Sequence, residues 1–473
     1  MNDKTSLVCI AAFCVQFAVG GALGQGIVYT WEPIGTVNGE FGELVNWDDE
    51  KGFPGVPGES DIALFNLPAI YTVDFTQDHL TDRVLVRSGQ VTFQLAPPSQ
   101  PGSSYEYMLG NPFNQTPSIV IGMATNDTAG LTVTGGALRG VFMDVGLESG
   151  SFGMLEVSGP NAVLENQWQL RIGNKGAALF DVLDGAAVSN HVASIGAGQG
   201  SFGQATISGA DSRWICAGTL AVGKGGFGSL FIDDAAEVRS TSAIVAQQSS
   251  SVGEVEVVGS GALWQVTGTL DVGFAGKGDL VIRDGAVVSN AVFASLAAVP
   301  FDFFDNEIQG RVVVQGDGSL WLIDGDLYNG INANGELVLA RGGRVEIAGN
   351  LYEGGATDDP ISTIRLELGS NDDYADAPAL SLGGESLWES PVQVMLVDEF
   401  QPQLGDSFHT VASMQGAEFT FDLPALGPDL HWQVISAGSD IHLNVVGPDV
   451  LGDLDGNGVI DVSDLLVLLG NWG

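Results

Sequence analysis

The sequence predicts an all-β fold, a parallel β-helix with three faces and about 25 residues per coil, followed by a small C-terminal β unit. Three observations predict it. Apolar residues alternate with small or polar ones in short segments, a 50-residue repeat divides into halves, and 67 glycines among 473 residues show no collagen-like period. Since no segment of the repeat shows sustained helical periodicity, arrays built from helices are excluded.

The repeat is visible as recurring marker residues. The motif Val157-Ser158-Gly159 recurs 50 residues later as Ile207-Ser208-Gly209 and again as Val257-Val258-Gly259. Each repeat splits in two, because a second set of markers is separated by 24, 27, 23, 27, 23 and 27 residues: Gly122, Gly146, Gly173, Gly196, Gly223, Ala246 and Gly273. The structural unit is therefore one coil of about 25 residues.

Each coil contains three short alternating segments, which predicts three strands. Stacking of coils at the strand spacing of about 4.8 Å should bury one continuous column of apolar side chains. The residues expected there are Leu155, Val157, Ile207, Leu220, Val257, Leu270 and Ile282. A β-propeller with four-stranded blades of about 50 residues is the competing architecture, and the half-period counts against it.

The flanks of the repeat divide the chain further. Residues 25–118 are interpreted as an N-terminal cap and first coils, 119–356 as the β-helix repeats and 357–447 as a C-terminal β cap. Two segments interrupt the repeat, Ala96–Ser118 and Pro300–Gln309. Such insertions leave the coil as loops, and their aromatic residues either bind a ligand or fold back over a coil.

The first residues are typical of an export signal. Lys4 precedes an apolar run from Leu7 to Val19 and small residues that end at Gly24, which predicts a signal peptide over residues 1–24. We therefore expect a secreted or cell-surface protein without a transmembrane span in the mature chain. Cleavage would leave Cys216 as the single cysteine, so no internal disulfide is expected.

The charge balance limits the partners. With 16 basic and 58 acidic residues, the net charge of −42 repels phosphate backbones, and nucleic acid is excluded as a partner. The same charge favours solubility and attracts divalent cations.

A set of glycine-rich motifs and tryptophans recurs between about residues 119 and 300: Gly150-Ser151-Phe152-Gly153, Gly200-Ser201-Phe202-Gly203, Trp214, Trp264, Gly218–Gly223 and Gly268–Gly273. By these residues the repeats resemble those of autotransporter-like and PEP-CTERM-associated exported proteins. The resemblance implies a solenoid that is displayed or secreted, without an assigned activity.

Residues 453–464 have the spacing of a calcium-binding loop. Oxygen donors stand at loop positions 1, 3, 5, 9 and 12, with a glycine at position 6, and position 7 supplies its backbone carbonyl. The predicted Ca²⁺ ligands are Asp453, Asp455, Asn457, Val459, Asp461 and Asp464. A short apolar helix, Leu465–Leu469, should follow and end at Gly470.

A strand-like segment precedes this loop, so residues 448–473 resemble one half of a dockerin type I module more than a complete EF-hand. The helix and Trp472 are apolar on all sides, and an exposed helix of that composition is unstable. It must pack either on the C-terminal β unit or on a partner surface.

Catalytic patterns are weak, and no catalytic residue is assigned. Asp184, Asp234 and Asp284 form a ladder, for which turn formation is the favoured interpretation. Trp214, Trp264 and Trp321 could stack against sugars, but their place in the repeat favours a structural stack.

Two functions from different classes follow. The first is a non-enzymatic extracellular or cell-surface β-solenoid with a structural, adhesive or scaffolding role, a calcium-binding C-terminal module and glycans or another surface protein as partners. The second is a secreted polysaccharide lyase or hydrolase, or a carbohydrate-binding protein.

Overall fold

The computed structural model describes residues 26–110, 116–298, 309–330, 333–354, 362–370, 373–415 and 418–447. These residues form a parallel β-solenoid of about 13 turns with about 25 residues per coil, which confirms the predicted architecture. The predicted signal peptide, the calcium loop with its helix, and most of the Pro300–Gln309 insertion lie outside the described residues.

The described residues contain 40 strands and one short 3-10 helix, Leu44–Asn46. The first strands are β1 Val28–Trp31, β2 Gly39–Glu40, β3 Trp47–Asp49, β4 Ile62–Phe65, β5 Ile70–Asp74, β6 His79–Thr81, β7 Arg83–Val86, β8 Ser88–Gln94 and β9 Glu106–Leu109. The repeats form β10 Ile119–Ile121, β11 Thr128–Thr134, β12 Ala137–Val145, β13 Phe152–Ser158, β14 Val163–Ile172, β15 Ala177–Leu183, β16 Ala187–Ile195, β17 Phe202–Ser208, β18 Arg213–Val222, β19 Phe227–Asp233, β20 Glu237–Val245, β21 Val252–Val258, β22 Leu263–Val266, β23 Leu270–Val272, β24 Lys277–Arg283, β25 Val287–Asn290 and β26 Ala294–Leu296.

The C-terminal part continues with β27 Gln309–Gln315, β28 Leu320–Ile323, β29 Leu327–Asn329, β30 Asn334–Ala340, β31 Arg344–Ile347, β32 Leu351–Glu353, β33 Ser362–Leu368, β34 Leu380–Leu382, β35 Ser386–Leu387, β36 Val392–Leu396, β37 Ser407–Ser413, β38 Phe421–Asp422, β39 His431–Ala437 and β40 Asp440–Val446. Among these residues, no helix is both long and apolar enough to cross a membrane.

Two sheets build the solenoid. Sheet I has 15 strands, beginning with β2, β5 and β8 and ending with β33, β36 and β38, and sheet II has 25 strands. In the central coils a long sheet II strand bends at a corner, as in β14, where the pairing with β16 shifts between Asn166 and Gln169. In later coils the same two segments are separate strands, such as β22 and β23. Each coil thus has three strand segments.

The core is a continuous column inside the two sheets. In β13, Leu155 and Val157 are buried while Met154 and Glu156 point outward, and the same alternation repeats in register in β15, β17 and β19. All seven residues predicted for this column are buried: Leu155, Val157, Ile207, Leu220, Val257, Leu270 and Ile282. Each such side chain stabilises the fold by about 1.5–3 kcal/mol.

The marker residues, most of them glycines, end the sheet II segments of the central coils. Gly223 adopts φ +68, and a Cβ there would lie 2.2 Å from the carbonyl oxygen of Val252 in the next coil. Glycine removes that contact and allows the left-handed conformation. Ala246 occupies the same place in its coil with φ 59, which a β-branched residue would find much harder to adopt.

The two ends differ in pairing. At the N-terminal end, β3 is antiparallel to β1, and the aromatic rings of Trp31, Trp47 and Phe65 pack together. At the C-terminal end, parallel pairing continues in sheet I through β33, β36 and β38. In sheet II the pairing changes there, because β37 and β39 are both antiparallel to β40.

Candidate functional site

The aspartate ladder forms turns. Asp184, Asp234 and Asp284 have φ of 56, 49 and 59, the left-handed region that aspartate tolerates better than most residues. The carboxylates of the first two accept hydrogen bonds from serines one coil earlier, as in Ser158 Oγ to Asp184 Oδ2 at 3.0 Å. The geometry supports the turn interpretation.

The three tryptophans lie in the core. Trp214, Trp264 and Trp321 are completely buried, and their positions align along one inward column of sheet II. The indole nitrogen of Trp214 donates to Asn190 Oδ1 at 2.6 Å, and that of Trp321 to Asn290 Oδ1 at 3.1 Å. The sugar-stacking interpretation of these residues is therefore wrong, and the structural one is confirmed.

Other aromatic residues do reach the surface. Tyr328 and Tyr352 stack in register at 4.6 Å with an interplanar angle of 6°, so each ring covers one face of the other. Trp168 is different, because it is 50% exposed at the corner of β14 and meets His191 edge to face at 5.2 Å. It is the best candidate for stacking against a sugar.

A pair of carboxylates stands on the outer face of sheet I. Glu156 in β13 and Asp181 in β15 are register partners. Burial and then the charges of Asp181 and Asp184 raise the pKa of Glu156. Burial also raises the pKa of Asp181, against a hydrogen bond with Thr206 that lowers it. Two adjacent carboxyls with raised pKa can hold and transfer a proton, which general acid–base chemistry requires.

Periodicity in the sequence did not reveal this pair. The signal was present, because Glu156 and Asp181 are 25 residues apart and each follows a buried residue of its coil. It becomes informative only when register shows that the two side chains lie on neighbouring strands. Among the described residues, no group of three or more His, Cys, Asp or Glu side chains is arranged to hold a metal ion.

The Glu156→Gln substitution should stabilise the protein at neutral pH by about 0.5 kcal/mol, the scale of a like-charge contact between paired strands. The pKa of Glu156 is raised in the folded state, so the folded state binds its proton more readily than the unfolded chain. The gain should therefore shrink as the pH falls through that raised pKa. Urea unfolding between pH 7 and pH 4 measures it, with exposed Glu385→Gln as the control. An equal gain in stability at pH 7 and pH 4 would contradict the raised pKa of Glu156.

A charged ladder follows further along the same face. Arg311 donates to Glu336 Oε2 at 3.0 Å and to Asp279 Oδ1 at 3.4 Å. Arg365, the register partner of Val338, reaches back to the same Glu336. Val338 points outward but is only 1% exposed, and the stem of Arg365 is positioned to cover it. This part of the face is built for packing and solubility.

A groove of about 430 Å³ lies over the outer corner of the last coils. Its lining is mostly apolar, with Ile323, Leu382 and Met414, and also includes Asp324, Glu346 and Ser381. Hydroxyl and carboxylate groups can hydrogen-bond to neutral sugars, while the two acidic side chains disfavour anionic polysaccharides.

Comparisons with known proteins found no match for this chain, either among protein-family models, among curated proteins or among solved structures.

Proposed function

We infer that this chain is a non-enzymatic β-solenoid of the cell exterior, secreted or held at the surface, that serves as a scaffold or adhesive spacer. A calcium-binding module at residues 448–473 belongs to this proposal. So does export through residues 1–24.

One observation carries the proposal, namely the unbroken in-register pairing of sheet I from β5 to β36. At the usual strand spacing, 13 turns make a rod about 60 Å long. A body of this kind transmits force along its hydrogen-bonded axis and displays the same outward positions in every coil. Those properties suit a spacer that separates two attachment points.

The donor set of residues 453–464 fits Ca²⁺ by its chemistry. Four aspartates, one asparagine and one backbone carbonyl are hard oxygen ligands, which calcium prefers. Asp453, Asp455, Asn457, Val459, Asp461 and Asp464 would hold the ion. Bound calcium would supply a fixed positive charge that orders the loop.

Calcium should release or absorb heat on binding to the purified chain and should raise its melting temperature. At a hundredfold excess over the dissociation constant, binding to the folded form alone contributes about 2.7 kcal/mol. Asp453→Ala with Asp464→Ala should abolish both effects. The control is Asp376→Ala with Glu254→Ala, which removes two exposed carboxylates away from the C-terminal strands and should leave both effects intact. An undiminished response in the loop variant would exclude the site.

A secreted polysaccharide-degrading or carbohydrate-binding protein is the alternative. The raised pKa of the Glu156 and Asp181 carboxyls on an outer face favours it, as does the half-exposed Trp168. Turn and packing roles account for the aspartate ladder and the three buried tryptophans, that is, for Asp184, Asp234 and Asp284 and for Trp214, Trp264 and Trp321.

The purified chain should be incubated with a panel of neutral and acidic glycans, with release of reducing ends and unsaturated products as readouts. The scaffold proposal expects no turnover. Turnover that is lost in Glu156→Gln or Asp181→Asn would overturn it and establish the enzyme. Binding without turnover that is lost in Trp168→Ala would establish a carbohydrate-binding scaffold.

A further inference from the structure

The C-terminal end of sheet II is an open edge. Among the described residues, β39 pairs with β40 alone. Five of its seven residues are exposed, and Trp432 and Ile435 are half-buried. Its sequence, His-Trp-Gln-Val-Ile-Ser-Ala, contains no proline, glycine, aspartate, glutamate, lysine or arginine. An uncharged, exposed strand of this kind offers free backbone groups to another segment.

The N-terminal end is protected in a way that the C-terminal end is not. Beyond β3 the chain turns back, and Asp48 forms a bridge with Pro54. Asp49 donates to the carbonyl oxygen of Phe53 at 2.9 Å, and Gly55 donates to that of Trp47 at 3.2 Å. A proline-containing return segment is one of the devices that block an edge.

The core is also partly uncovered beside β39. Val434 faces the core side, because its register partner Leu443 is completely buried. Val434 itself is 44% exposed. Four partly buried apolar residues of this end pack against the core, and together with Val434 they form what we call the end shelf: Leu423, Leu426, Leu430 and Trp432. Trp432 is fixed there by its indole hydrogen bond to the carbonyl oxygen of Pro424 at 2.9 Å.

The chain leaves the described fold at this place. Val446, the last residue of β40, is the register partner of His431, the first residue of β39. The residues from Gly447 to Gly452 can span about 20 Å when extended, so residues 453–473 start within reach of the end shelf. That segment carries Leu465–Leu469 and Trp472, which need an apolar cover.

We propose that residues 448–473 fold back on the end shelf, with Leu465–Leu469 and Trp472 packed against Trp432 and Val434, so that calcium closes the C-terminal end of the solenoid. This inference rests on the calcium module of the proposed function. The two partners match in chemistry, because Leu465–Leu469 and Trp472 are apolar in sequence and the end shelf is an uncharged, partly exposed apolar surface. The segment follows β40 directly beside β39, which favours this chain as the occupant over a second copy.

Hydrogen exchange of the full chain, with and without Ca²⁺, tests the inference. Residues 431–437 should gain at least tenfold protection when calcium is added, and β19 in the central coils should not change. The gain should be the same at low and high protein concentration. Protection that appears only at high concentration, together with a calcium-dependent dimer in sedimentation, would overturn the proposal in favour of a second copy.

Val434→Glu provides an independent readout. Loss of the valine contact should weaken calcium affinity about tenfold, which corresponds to the burial of one such side chain. Leu387→Glu, at a site 56% exposed outside the end shelf, should leave the affinity unchanged. The docking of residues 448–473 on the end shelf would be rejected by three results together: normal heat of calcium binding, unchanged hydrogen exchange at residues 431–437, and unaltered calcium affinity in Val434→Glu. The metal site itself would then stand. No calcium heat in the unmodified chain would reject both.

Discussion

Replacing Trp214 with alanine should destabilise the solenoid by about 3–5 kcal/mol, the range for truncation of a large buried aromatic residue. Trp214 is completely buried, meets Phe180 edge to face at 5.2 Å and lies between its register partners Val188 and Val238. Its removal leaves a cavity in the middle of the column. It also deprives Asn190 of the indole donor 2.6 Å away, and a buried polar atom without a partner adds to the loss.

Urea unfolding followed by circular dichroism measures this change. The matched control is Trp168→Ala, because Trp168 is a tryptophan of a nearby coil but is half-exposed. It should lose less than about 1 kcal/mol, as most surface substitutions do. Equal losses in the two variants would show that Trp214 is not in a packed core.

Arg171→Met should cost about 3 kcal/mol at neutral pH, because it leaves a buried carboxylate without its partner. Asp144 has no exposed surface, and Arg171 binds it through two nitrogens, with Nη2 to Oδ2 at 2.6 Å. Asn174 adds a third contact at 3.3 Å. Burial raises the pKa of Asp144, while the hydrogen bonds and charge of Arg171 lower it. Removal of the arginine should therefore raise that pKa further.

The loss in Arg171→Met should depend on pH in a definite direction. A carboxyl with a raised folded pKa is destabilising when ionised and harmless when protonated. The variant should therefore recover stability relative to the unmodified protein as the pH falls from 7 through the pKa of Asp144.

Asp144→Asn combined with Arg171→Met should recover part of the loss already at pH 7. Lys175→Met, which removes the exposed pair with Glu148, should cost less than about 1 kcal/mol at any pH. A pH-independent loss in Arg171→Met would contradict the buried pair.

The residues that face the core of the solenoid were predictable from the sequence. Alternation assigned Leu155, Val157 and Ile207 to the core, and the 50-residue repeat aligned them with one another. The tryptophans followed by the same reasoning, since Trp214 and Trp264 occupy one place in successive repeats. Burial leaves a strong periodic signal because every coil must fill the same space.

The pairing of outward-facing residues on neighbouring strands was not predictable in the same way. Glu156 and Asp181 are paired at a separation of 25 residues, whereas Asp144 and Arg171 are paired at a separation of 27. One residue of this difference comes from the corner of β14, where the pairing with β12 shifts. Outward positions tolerate many side chains, so their composition does not mark the register. The open edge at β39 was also hidden, because the change from parallel to antiparallel pairing depends on which strands meet and not on their composition.

The scaffold role depends on the register of sheet I, which disulfide trapping measures directly. Gln204 and Ser229 are register partners on β17 and β19 with outward side chains, and neighbouring strands lie about 4.8 Å apart. Gln204→Cys with Ser229→Cys should form a disulfide in high yield under mild oxidation, as mapped by mass spectrometry. Gln204→Cys with Glu254→Cys, two coils apart at about 10 Å, should not, since a disulfide requires Cα atoms within about 7 Å. Efficient bridging of the second pair, or none in the first, would contradict the in-register solenoid.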